Sequence, residues 1–594
     1  MAPLKSFRAR GPQGASGATH ELPPAAAWNV PPAVGWAALL ALLALLLAFL
    51  YGDALSIPFI NDDYVFLDKT RRLSFLTVWA PRDLAFHWYR PWSRELHYWT
   101  LQSWFGNRET PFHLASFALW IAVLAVYFAI ARRLAGARAA AVATAAVGAL
   151  AAWGVPLLWI AGVQELWMLL FVLLALLALV HDRLRLATGA FVLALLSKES
   201  AAVLPALAFV HQRWVAGRTF RSALTRTAPM WILLGVWAAW HPMLGGRLWR
   251  PVPVLDPGLH PPFGVVLLRT LLMPFNLDAM PAPESRWVTL AAGALPVTAI
   301  AAILILLVPR LLTPGRALDR APHLTMTFGL AWAAIAWAPL FTPAVGWHAY
   351  YAMLGALGVW LALAGPLSRR PPAAVAAVVL LVVLRAVHAD TPSRDWGSEW
   401  YPRRAGSFLA HMRTDLKQLH PVLPPHSRLY FVMAPSNVGF LPDNGSALRI
   451  WYGDPTLRGG YYPSYRPRAR NEPAGADYFF RFDSTGGWVP VIAGNEDASE
   501  ARHLNPRWVR DHEVLAGAFA HGGDWRRAAG EYAKLAHADS LSVDPAFNAG
   551  VSFEAAGDSM RAAEWYRRAA ARPGADAEVR ETATRFARHL HRRF

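Results

Sequence analysis

The sequence contains no cysteine and few charged residues. Without cysteine, the chain forms no disulfide and no thiolate metal site. Charged residues make up 16% of the chain, against about a quarter in an average soluble domain. Hydrophobic residues make up 55%. The deficit of charge and the excess of apolar residues exclude an ordinary soluble protein and indicate a membrane protein.

Lysine is also scarce, with five residues, so arginine supplies most of the net charge of +18. A strongly basic chain is one signature of nucleic-acid binding. Within residues 1–388, 14 of the 27 arginines stand in short loops between apolar segments, at 131–138, 181–185, 211–226, 309–320 and 366–370. Cytoplasmic loops of membrane proteins carry such an excess. We therefore attribute the charge to membrane orientation and expect no nucleic-acid partner.

Long apolar runs fill the chain between residues 35 and 387 and then stop. Runs of about 17–22 residues are long enough to cross a hydrocarbon core. Threaded between the basic loops, the runs predict eleven crossings, at residues 34–50, 111–131, 139–160, 164–180, 186–196, 201–210, 229–244, 288–308, 324–341, 350–364 and 372–388. With an odd number of crossings and cytoplasmic basic loops, the N-terminus lies inside and the C-terminal region outside.

Two of these segments, 186–196 and 201–210, are short for a full crossing. We interpret them as a hairpin, or as a pair of tilted half-helices, with Lys198 and Glu199 at the turn. The apolar stretch 263–275 is also too short to cross, so it is expected to lie in the membrane interface or to re-enter.

The predicted fold class is mostly α: a polytopic membrane helical bundle followed by a mixed region and helical repeats. No small-residue cleavage site follows the first apolar run, so it is interpreted as a retained span. The predicted parts are a cytoplasmic leader (1–32), a transmembrane domain (33–388) with a long first outside loop (53–110), a small periplasmic α/β region (389–502) and helical repeats (503–594). In the α/β region, SRLYFVMAPSN and RIWYGD are predicted as strands.

The last part carries an internal repeat. HGGDWRRAAGEYAKLAHADS and EAAGDSMRAAEWYRRAAARP align with a shift of 34 residues, which matches Asp524 with Asp558 and Ala528 with Ala562. This period is typical of tetratricopeptide repeats. Because three or more repeats are usually needed for stability, this short array is expected to pack against the preceding region. It is either a surface that binds a protein or peptide, or a structural cap.

Ionisable residues of the membrane part gather at one predicted face. Side chains of this kind at membrane depth face an interior or a cavity. The topology places Asp62, Asp63, Glu165, Lys198 and Glu199 at the outer face, although they come from separate segments. Taken singly, each has a structural alternative. The aspartates fit a solvated turn or a helix cap, Lys198 and Glu199 fit an ion pair, and Glu165 fits a side chain that snorkels.

Five short motifs occur in a fixed order along the first third of the chain: IPFINDDY, YRPWSRELHYW, FGNRETPFHLASF, LLWIAGVQELW and LLSKES. Together they resemble the GT-C superfamily of membrane glycosyltransferases. The branch they resemble most is that of the tetratricopeptide-repeat O-mannosyltransferases and their bacterial relatives. The motifs support the resemblance over roughly residues 34–213. Beyond them, only the pattern of apolar spans is similar.

The resemblance implies a donor sugar carried on a polyisoprenyl phosphate. It implies that a first-loop acid, Asp62 or Asp63, acts as the general base that accepts the proton of an acceptor hydroxyl, or positions the acceptor or a metal. The leaving group is a lipid phosphate, which needs cations near it. Arg90 is the preferred candidate, with Lys198 and Arg250 behind it.

Further candidate substrate-binding residues carry hydrogen-bonding side chains in or beside the same motifs, or in the later segment WHAYYA (Trp347–Ala352). They are Tyr89, His87, His113, Gln164, Glu165, Glu199, His348 and Tyr351. Two departures from the family pattern leave the sugar open, mannose included. Gly162–Glu165 lacks the arginine of a Gly-Arg-x-Asp run, and His348 stands where relatives often have arginine. Mg²⁺ or Mn²⁺ is left open as a cofactor, since carboxylates suit both ions and only some GT-C enzymes need one.

The leading hypothesis is an inverting glycosyltransferase of a bacterial inner membrane that works at the periplasmic face. Its expected partners are the polyprenyl-phosphate sugar, membrane lipid and an acceptor that is a protein, a glycan or a lipid. One alternative is a non-enzymatic scaffold that presents the repeats to protein partners. Another is a transporter of lipid-linked sugars, although transporters usually carry charges near the midplane and two related halves.

Overall fold

A computed structural model describes residues 31–81, 88–241, 261–278, 287–312, 322–341, 346–389, 396–435, 439, 441–484, 487–492 and 506–591. Helices dominate these residues, as the apolar runs predict. The membrane part contains α1 (Pro32–Tyr51), α2 (Asp62–Thr70), α3 (His97–Phe105), α4 (Glu109–Ala135), α5 (Ala137–Gly148), α6 (Gly154–Leu158), α7 (Val163–Val180), α8 (Leu184–Leu195), α9 (Leu204–Val210), α10 (Phe220–Trp240), α11 (Phe263–Leu272), α12 (Trp287–Leu311), α13 (Pro322–Trp337), α14 (Met353–Ser368) and α15 (Pro371–Ala389).

Several of these helices are long and apolar enough to cross a membrane. Within the described residues there are seven: Pro32–Ser56, Glu109–Ala135, Ile160–Val180, Ala294–Leu311, His323–Phe341, Ala349–Ser368 and Pro371–Ala389. The number rises to eight if the bent pair α5 and α6 counts as one span. The protein is therefore a multi-pass membrane protein.

The prediction of eleven crossings is not confirmed. Helices α8 and α9, which form the predicted hairpin, have 12 and 7 residues. Helix α10 has 21 residues, but Arg221 and Arg226 stand in its first two turns and shorten its apolar part. All three are helical as predicted, yet none has both the length and the composition of a complete span.

The predicted span 139–160 is broken in the middle. Helices α5 and α6 meet at an angle of 60°, and the break exposes backbone groups that apolar surroundings cannot satisfy. Asn276 satisfies them. Its Oδ1 accepts a hydrogen bond from Ala151 N at 2.8 Å, and its Nδ2 donates to the carbonyls of Ala149 and Leu381 at 3.0 and 2.9 Å.

Helices α13 and α14 approach each other through glycine. A Cβ atom on Gly358 would lie 2.5 Å from the Gly329 carbonyl oxygen, and one on Gly329 would lie 2.6 Å from the Gly358 oxygen. Small residues allow such close backbone approach between membrane helices. The contact joins α13 to α14, and the end of α13 and the segment before α14 line a cavity.

We expect Gly358→Ala to lower the thermal stability of the purified protein in detergent. The added methyl would overlap a backbone oxygen, and overpacking of this kind costs about 1–3 kcal/mol. Gly365, also on α14, has no atom within 4 Å of an added Cβ. Gly365→Ala is therefore the matched control, with unchanged or slightly higher stability because alanine favours helix. Equal melting temperatures for both variants would contradict this packing.

The region after α15 contains a small sheet, as predicted. Helices α16 (Trp400–Leu419) and α17 (Ser446–Tyr452) pack on strands β1 (Arg428–Val432), β2 (Arg458–Tyr461), β3 (Asp477–Asp483) and β4 (Gly487–Pro490). The strand order is β2-β1-β3-β4; β1 is parallel to β2 and to β3, and β3 is antiparallel to β4. The prediction of a strand at RIWYGD was wrong. Its first residues belong to α17, where Leu448 and Trp451, three apart, both point into the core.

Within residues 506–591, the C-terminal part consists of five helices. They are α18 (Pro506–Gly522), α19 (Trp525–Ala538), α20 (Val543–Ala555), α21 (Ser559–Ala570) and α22 (Ala577–His591). The 34-residue period appears as geometry, since Asp524 and Asp558 each accept a hydrogen bond from the backbone at the start of α19 and α21. Ala528 and Ala562 are both fully buried. The tetratricopeptide assignment stays a prediction.

Candidate active site

A cavity of about 350 Å³ lies where many of the membrane helices begin or end. Its walls come from α2, from the segment before α3, from α6 and the residues that lead into and start α7, from the turn between α8 and α9, and from the segments after α13 and before α14. Chain segments that are distant in sequence therefore meet at one end of the bundle. The predicted site residues that line this cavity are Asp62, Arg90, Gln164, Glu165, Lys198, Glu199 and Tyr351.

Helix α2 places the two neighbouring aspartates in different surroundings. Acids in the first turn favour a helix start, and Asp63 Oδ2 accepts a hydrogen bond from Ile60 N at 2.9 Å. Asp63 Oδ1 accepts another from the Tyr98 hydroxyl at 2.7 Å, and the side chain is fully buried. Asp62 is only partly buried and lines the cavity.

Burial changes the acidity of both aspartates. It raises the pKa of Asp62 to about 6, although the positive charges of Arg94 and Arg90 act in the opposite direction. It raises the pKa of Asp63 to about 8, against the hydrogen bonds from Ile60 and Tyr98. A group with a pKa near the working pH is suited to general-base catalysis. Asp62 has this property together with access to the cavity.

Arg90 is held in place by an acid and an amide. Its Nε and Nη2 donate to Glu199 Oε2 at 2.9 and 2.6 Å, and its Nη1 donates to Gln164 Oε1 at 2.9 Å. Arginine has five N–H donors, so these three bonds leave two for a ligand. Burial acts to raise the pKa of Glu199, but the Arg90 charge and the hydrogen bonds from His241 and Arg90 together lower it to about 2. The pair is therefore ionised.

The backbone around Arg90 is tied to the segment that carries Glu199. Trp92 N donates to the Leu196 carbonyl at 3.1 Å, and the Ser93 hydroxyl donates to the Ser197 carbonyl at 2.6 Å. These bonds bring the two sequence motifs together and fix the distance between their charges. The ion pair is thus a consequence of how the two segments pack.

Lys198 forms a second ion pair on an aromatic floor. Its Nζ donates to Glu165 Oε2 at 2.5 Å, and both side chains are buried. The ammonium lies 4.5 Å from the centre of the Tyr351 ring and 5.2 Å from that of Tyr350, within the range of cation–π attraction. An acid and two rings therefore compensate the positive charge in the absence of a ligand.

Aromatic and apolar side chains cover the remaining wall of the cavity. Phe66, Trp88, Trp159, Tyr350 and Trp396 line it, together with the segment that follows α13. Such faces suit the apolar side of a sugar ring and an isoprenoid chain, which offer C–H groups rather than charge. The arrangement can therefore bind a molecule with an anionic group, hydroxyls and an apolar part.

No protein-family model and no curated protein matches this sequence. Solved structures do resemble the chain. The oligosaccharyltransferase of Archaeoglobus fulgidus, in complex with Zn and sulfate, is 14% identical with a TM-score of 0.36; the match covers 71% of this chain and 62% of that one. This chain thus spans less than two thirds of the archaeal enzyme.

The second similar protein is ArnT from Cupriavidus metallidurans. Its structure bound to undecaprenyl phosphate is 18% identical with a TM-score of 0.33, over 76% of this chain and 94% of that one. The apo structure is 18% identical with a TM-score of 0.34, over 72% and 86% of the two chains. At these low scores and identities, the similarities do not establish a shared fold. The O-mannosyltransferase branch predicted from the motifs is not confirmed.

Several predicted site residues lie away from the cavity walls. His113 Nε2 is hydrogen-bonded to the Ile57 carbonyl at 2.9 Å and is fully buried, and the Tyr89 hydroxyl donates to the Trp79 carbonyl at 2.9 Å. His348 packs behind the cavity, with its ring 3.7 Å from that of Trp396. Each has a structural partner in place of a ligand. His87 and Arg250 lie outside the described residues.

Sequence reasoning missed one charged residue of the cavity, Arg94. It stands four residues after Arg90 and is almost completely buried. Its Nη2 donates to Glu95 Oε1 and to the Trp88 carbonyl, each at 2.6 Å. The spacing of four residues between two arginines in YRPWSRELHYW was a signal that both would face the same side.

The carboxylates do not form a compact metal site. Among the described residues, no group of three or more histidine, aspartate or glutamate side chains is arranged to hold a metal ion. Asp62 and Glu165 both line the cavity, but Glu165 already neutralises Lys198.

Proposed function

We propose that the protein is an inverting glycosyltransferase that moves a sugar from a polyisoprenyl-phosphate donor to an acceptor hydroxyl. The observation that carries this proposal is the cavity itself. It combines a carboxylate of raised pKa, Asp62, with two ordered cations, Arg90 and Lys198, at the end of a bundle of membrane helices. The ordered sequence motifs support the same reaction class.

The proposed reaction is a single displacement. The Asp62 carboxylate accepts the proton of the acceptor hydroxyl as its oxygen attacks the anomeric carbon of the donor sugar. The new carbon–oxygen bond forms as the bond from that carbon to the phosphate oxygen breaks. The electron pair leaves with the polyisoprenyl phosphate, and the anomeric configuration is inverted. Asp62 then releases its proton to water.

Asp62 is the base in this scheme, and Asp63 is structural. Asp63 is fully buried, and its two oxygens are occupied by Ile60 N and the Tyr98 hydroxyl. With a pKa raised to about 8, it is mostly protonated at neutral pH and cannot accept a second proton. Asp62 has the lower pKa and the access to substrate.

The two cations serve the leaving group. Arg90 offers two remaining N–H donors, which match phosphate oxygens in pairs. Lys198 offers a compact ammonium held over Tyr351. Preorganised charges of this kind stabilise negative charge as it develops on the leaving oxygen. Glu199 and Glu165 keep both cations ordered before the donor arrives.

The proposed location is a bacterial inner membrane, with the cavity at the periplasmic face. The basic loops after α7 and α14 lie at the opposite ends of these helices from Gln164, Glu165 and Tyr351, which line the cavity. Basic loops of this kind usually stay in the cytoplasm, and this supports the proposed position of Asp62 at the outer face. The α/β region and the helical repeats then face the periplasm, where the repeats offer a surface for a protein or glycan acceptor.

The test is sugar transfer from polyprenyl phosphate. Purified protein in nanodiscs receives a panel of labelled undecaprenyl-phosphate sugars and a membrane extract as the source of acceptor. Release of undecaprenyl phosphate and transfer of label are measured together. The proposal predicts both for at least one donor. Movement of intact donor across the bilayer without bond cleavage would instead identify a transporter. If neither transfer nor transport is observed, the result would favour a non-enzymatic scaffold.

We expect transfer to depend on pH with an apparent pKa of about 6. The base form of Asp62 is required, so kcat/KM falls about tenfold per unit below that pH and is flat above it. The charged groups on the cavity walls are Arg90, Arg94, Lys198, Glu165 and Glu199.

Unfolding is not expected to cause this loss. The pKa of Asp62 is raised in the folded state, so between about pH 4 and 6 the folded state binds the extra proton and gains stability from this group as pH falls. Thermal stability measured at each pH is the control. A pH-independent rate with a stable fold would contradict the role of Asp62.

A further inference from the structure

The helix that carries Asp62 is packed on two opposite sides. Asp62 and Phe66, four residues apart on α2, line the cavity. Tyr64 and Asp68, also four residues apart, contact α17 of the C-terminal region. Residues with this spacing share one face of a helix. Helix α2 therefore lies between the cavity and the region outside the membrane part.

Two side chains of α17 hold the outer face of α2. Arg449 Nε donates to Asp68 Oδ2 at 2.7 Å, and both side chains are buried. Trp451 Nε1 donates to the Tyr64 hydroxyl at 2.9 Å. The Tyr64 and Trp451 rings also meet edge to face at 5.7 Å. These contacts join residues nearly 400 positions apart in the sequence.

The residue before Asp62 is held from the same side. Asn61 has a positive φ of 45°, a conformation that costs energy outside glycine and that asparagine tolerates better than most residues. Its side chain is hydrogen-bonded to Tyr401 of α16. A Cβ atom on Gly439 would lie 2.7 Å from that same side chain. The backbone that leads into Asp62 is thus enclosed by the C-terminal region.

We propose that Arg449 and Trp451 are positioning residues that clamp α2, so that the C-terminal region is part of the catalytic unit. This inference rests on the proposed function. Helix α2 has nine residues, and an isolated helix of that length is unstable in water. Its position therefore depends on packing. Misplacement of a reacting group by about 1 Å can lower a rate about 100-fold.

The test uses the full chain with Arg449→Gln and, separately, Trp451→Phe. Trp451→Phe keeps an aromatic side chain at this position but removes the Nε1 hydrogen bond and some packing volume, so α17 should keep its fold. We expect both to lower kcat by about 10- to 100-fold, with Arg449→Gln the stronger. The KM for the donor should stay within about twofold of wild type, because the cations of the cavity are untouched.

The matched control is Arg428→Gln. Arg428 forms an equally buried pair with Asp477 at 2.7 Å in the sheet of the same region, without a place on the α2 interface. It should lower stability and leave kcat per folded molecule unchanged. Asp68 also pairs with Arg71 and Arg72, and Arg449 also pairs with Asp443. Asp68→Asn, Arg449→Gln and the double variant are therefore compared as a cycle. The double variant should lose less activity than the two single losses multiplied, because the contact between these side chains is shared.

The possible outcomes separate this inference from the proposed function. A wild-type kcat per folded molecule in both Arg449→Gln and Trp451→Phe would overturn the clamp, provided that Asp62→Asn is inactive. A rise in the KM for the donor as large as the fall in kcat would also overturn it. Full activity of Asp62→Asn would instead defeat the proposed function, whatever the effect at Arg449.

Discussion

Asp62→Asn is expected to lower sugar transfer by about 10²- to 10⁴-fold, the usual contribution of a general base. The amide is almost the same size as the carboxyl but cannot accept the proton of the acceptor hydroxyl. Because Asp62 is only partly buried and lines the cavity, the fold should be retained. The measurement is kcat with the best labelled donor, per folded molecule, together with thermal stability.

The neighbouring aspartate supplies the control. Asp63→Asn exchanges a buried carboxyl, protonated near neutral pH, for an amide of similar shape. It places an N–H group near the donors Ile60 N or Tyr98, so we expect lower stability and less folded protein. Activity per folded molecule should stay within about tenfold of wild type. If Asp63→Asn removed transfer and Asp62→Asn did not, the two roles would be reversed.

The second large effect is expected at Arg90. Arg90→Met removes the guanidinium proposed to bind the leaving phosphate, and loss of one preorganised charge contact typically costs about 10²- to 10³-fold in rate. The same change leaves Glu199 without its main partner. Breaking a buried ion pair is destabilising by about 3–5 kcal/mol, and the part exposure of this pair reduces that cost.

A second substitution separates the two consequences. In Arg90→Met with Glu199→Gln the unpaired charge is gone, so stability should recover while transfer stays low. Arg218→Met is the control, because Arg218 pairs with Asp182 at 3.2 Å in an exposed basic loop away from the cavity. Recovery of transfer in the double variant would mean that Arg90 acts only by neutralising Glu199.

The sequence predicted which charges would meet, for a physical reason. Charged groups at membrane depth are costly unless they face an interior or one another. A common cavity was one of the few positions available to the side chains of Arg90, Glu165, Lys198 and Glu199. The ion pairs of Arg90 with Glu199 and of Lys198 with Glu165 follow from this constraint. The suggested ion pair between Lys198 and Glu199 was wrong, because each of the two side chains bonds a partner from another segment.

The roles of adjacent residues were beyond the sequence. Neighbours in a helix point about 100° apart, so Asp62 and Asp63 face different surroundings once α2 forms. No pattern in INDDY shows where that helix begins. His113 and His348 are predicted to bind substrate. In the structure, His113 is hydrogen-bonded to a backbone carbonyl, and His348 packs against an aromatic ring. Such partners follow from packing alone.

Long-range contacts and helix breaks were also hidden. The contact of Trp451 with Tyr64 joins two unrelated stretches, and neither carries a signal for the other. The break between α5 and α6 had a weak signal, because Gly148, Gly154 and Pro156 interrupt an otherwise apolar run. The repeated helix starts of the C-terminal part were easier to predict from the sequence, since a period of 34 residues with aspartate at fixed positions indicates them.

The most direct measurement is a structure of the full-length protein in nanodiscs with undecaprenyl phosphate. The account predicts the phosphate in the cavity, within hydrogen-bond distance of Arg90 or Lys198, with the isoprenoid chain running along the aromatic wall into the membrane. Asp62 should face the phosphate across a space that fits one sugar ring. A phosphate bound elsewhere, with the cavity between Asp62 and Arg90 closed to it, would contradict the account.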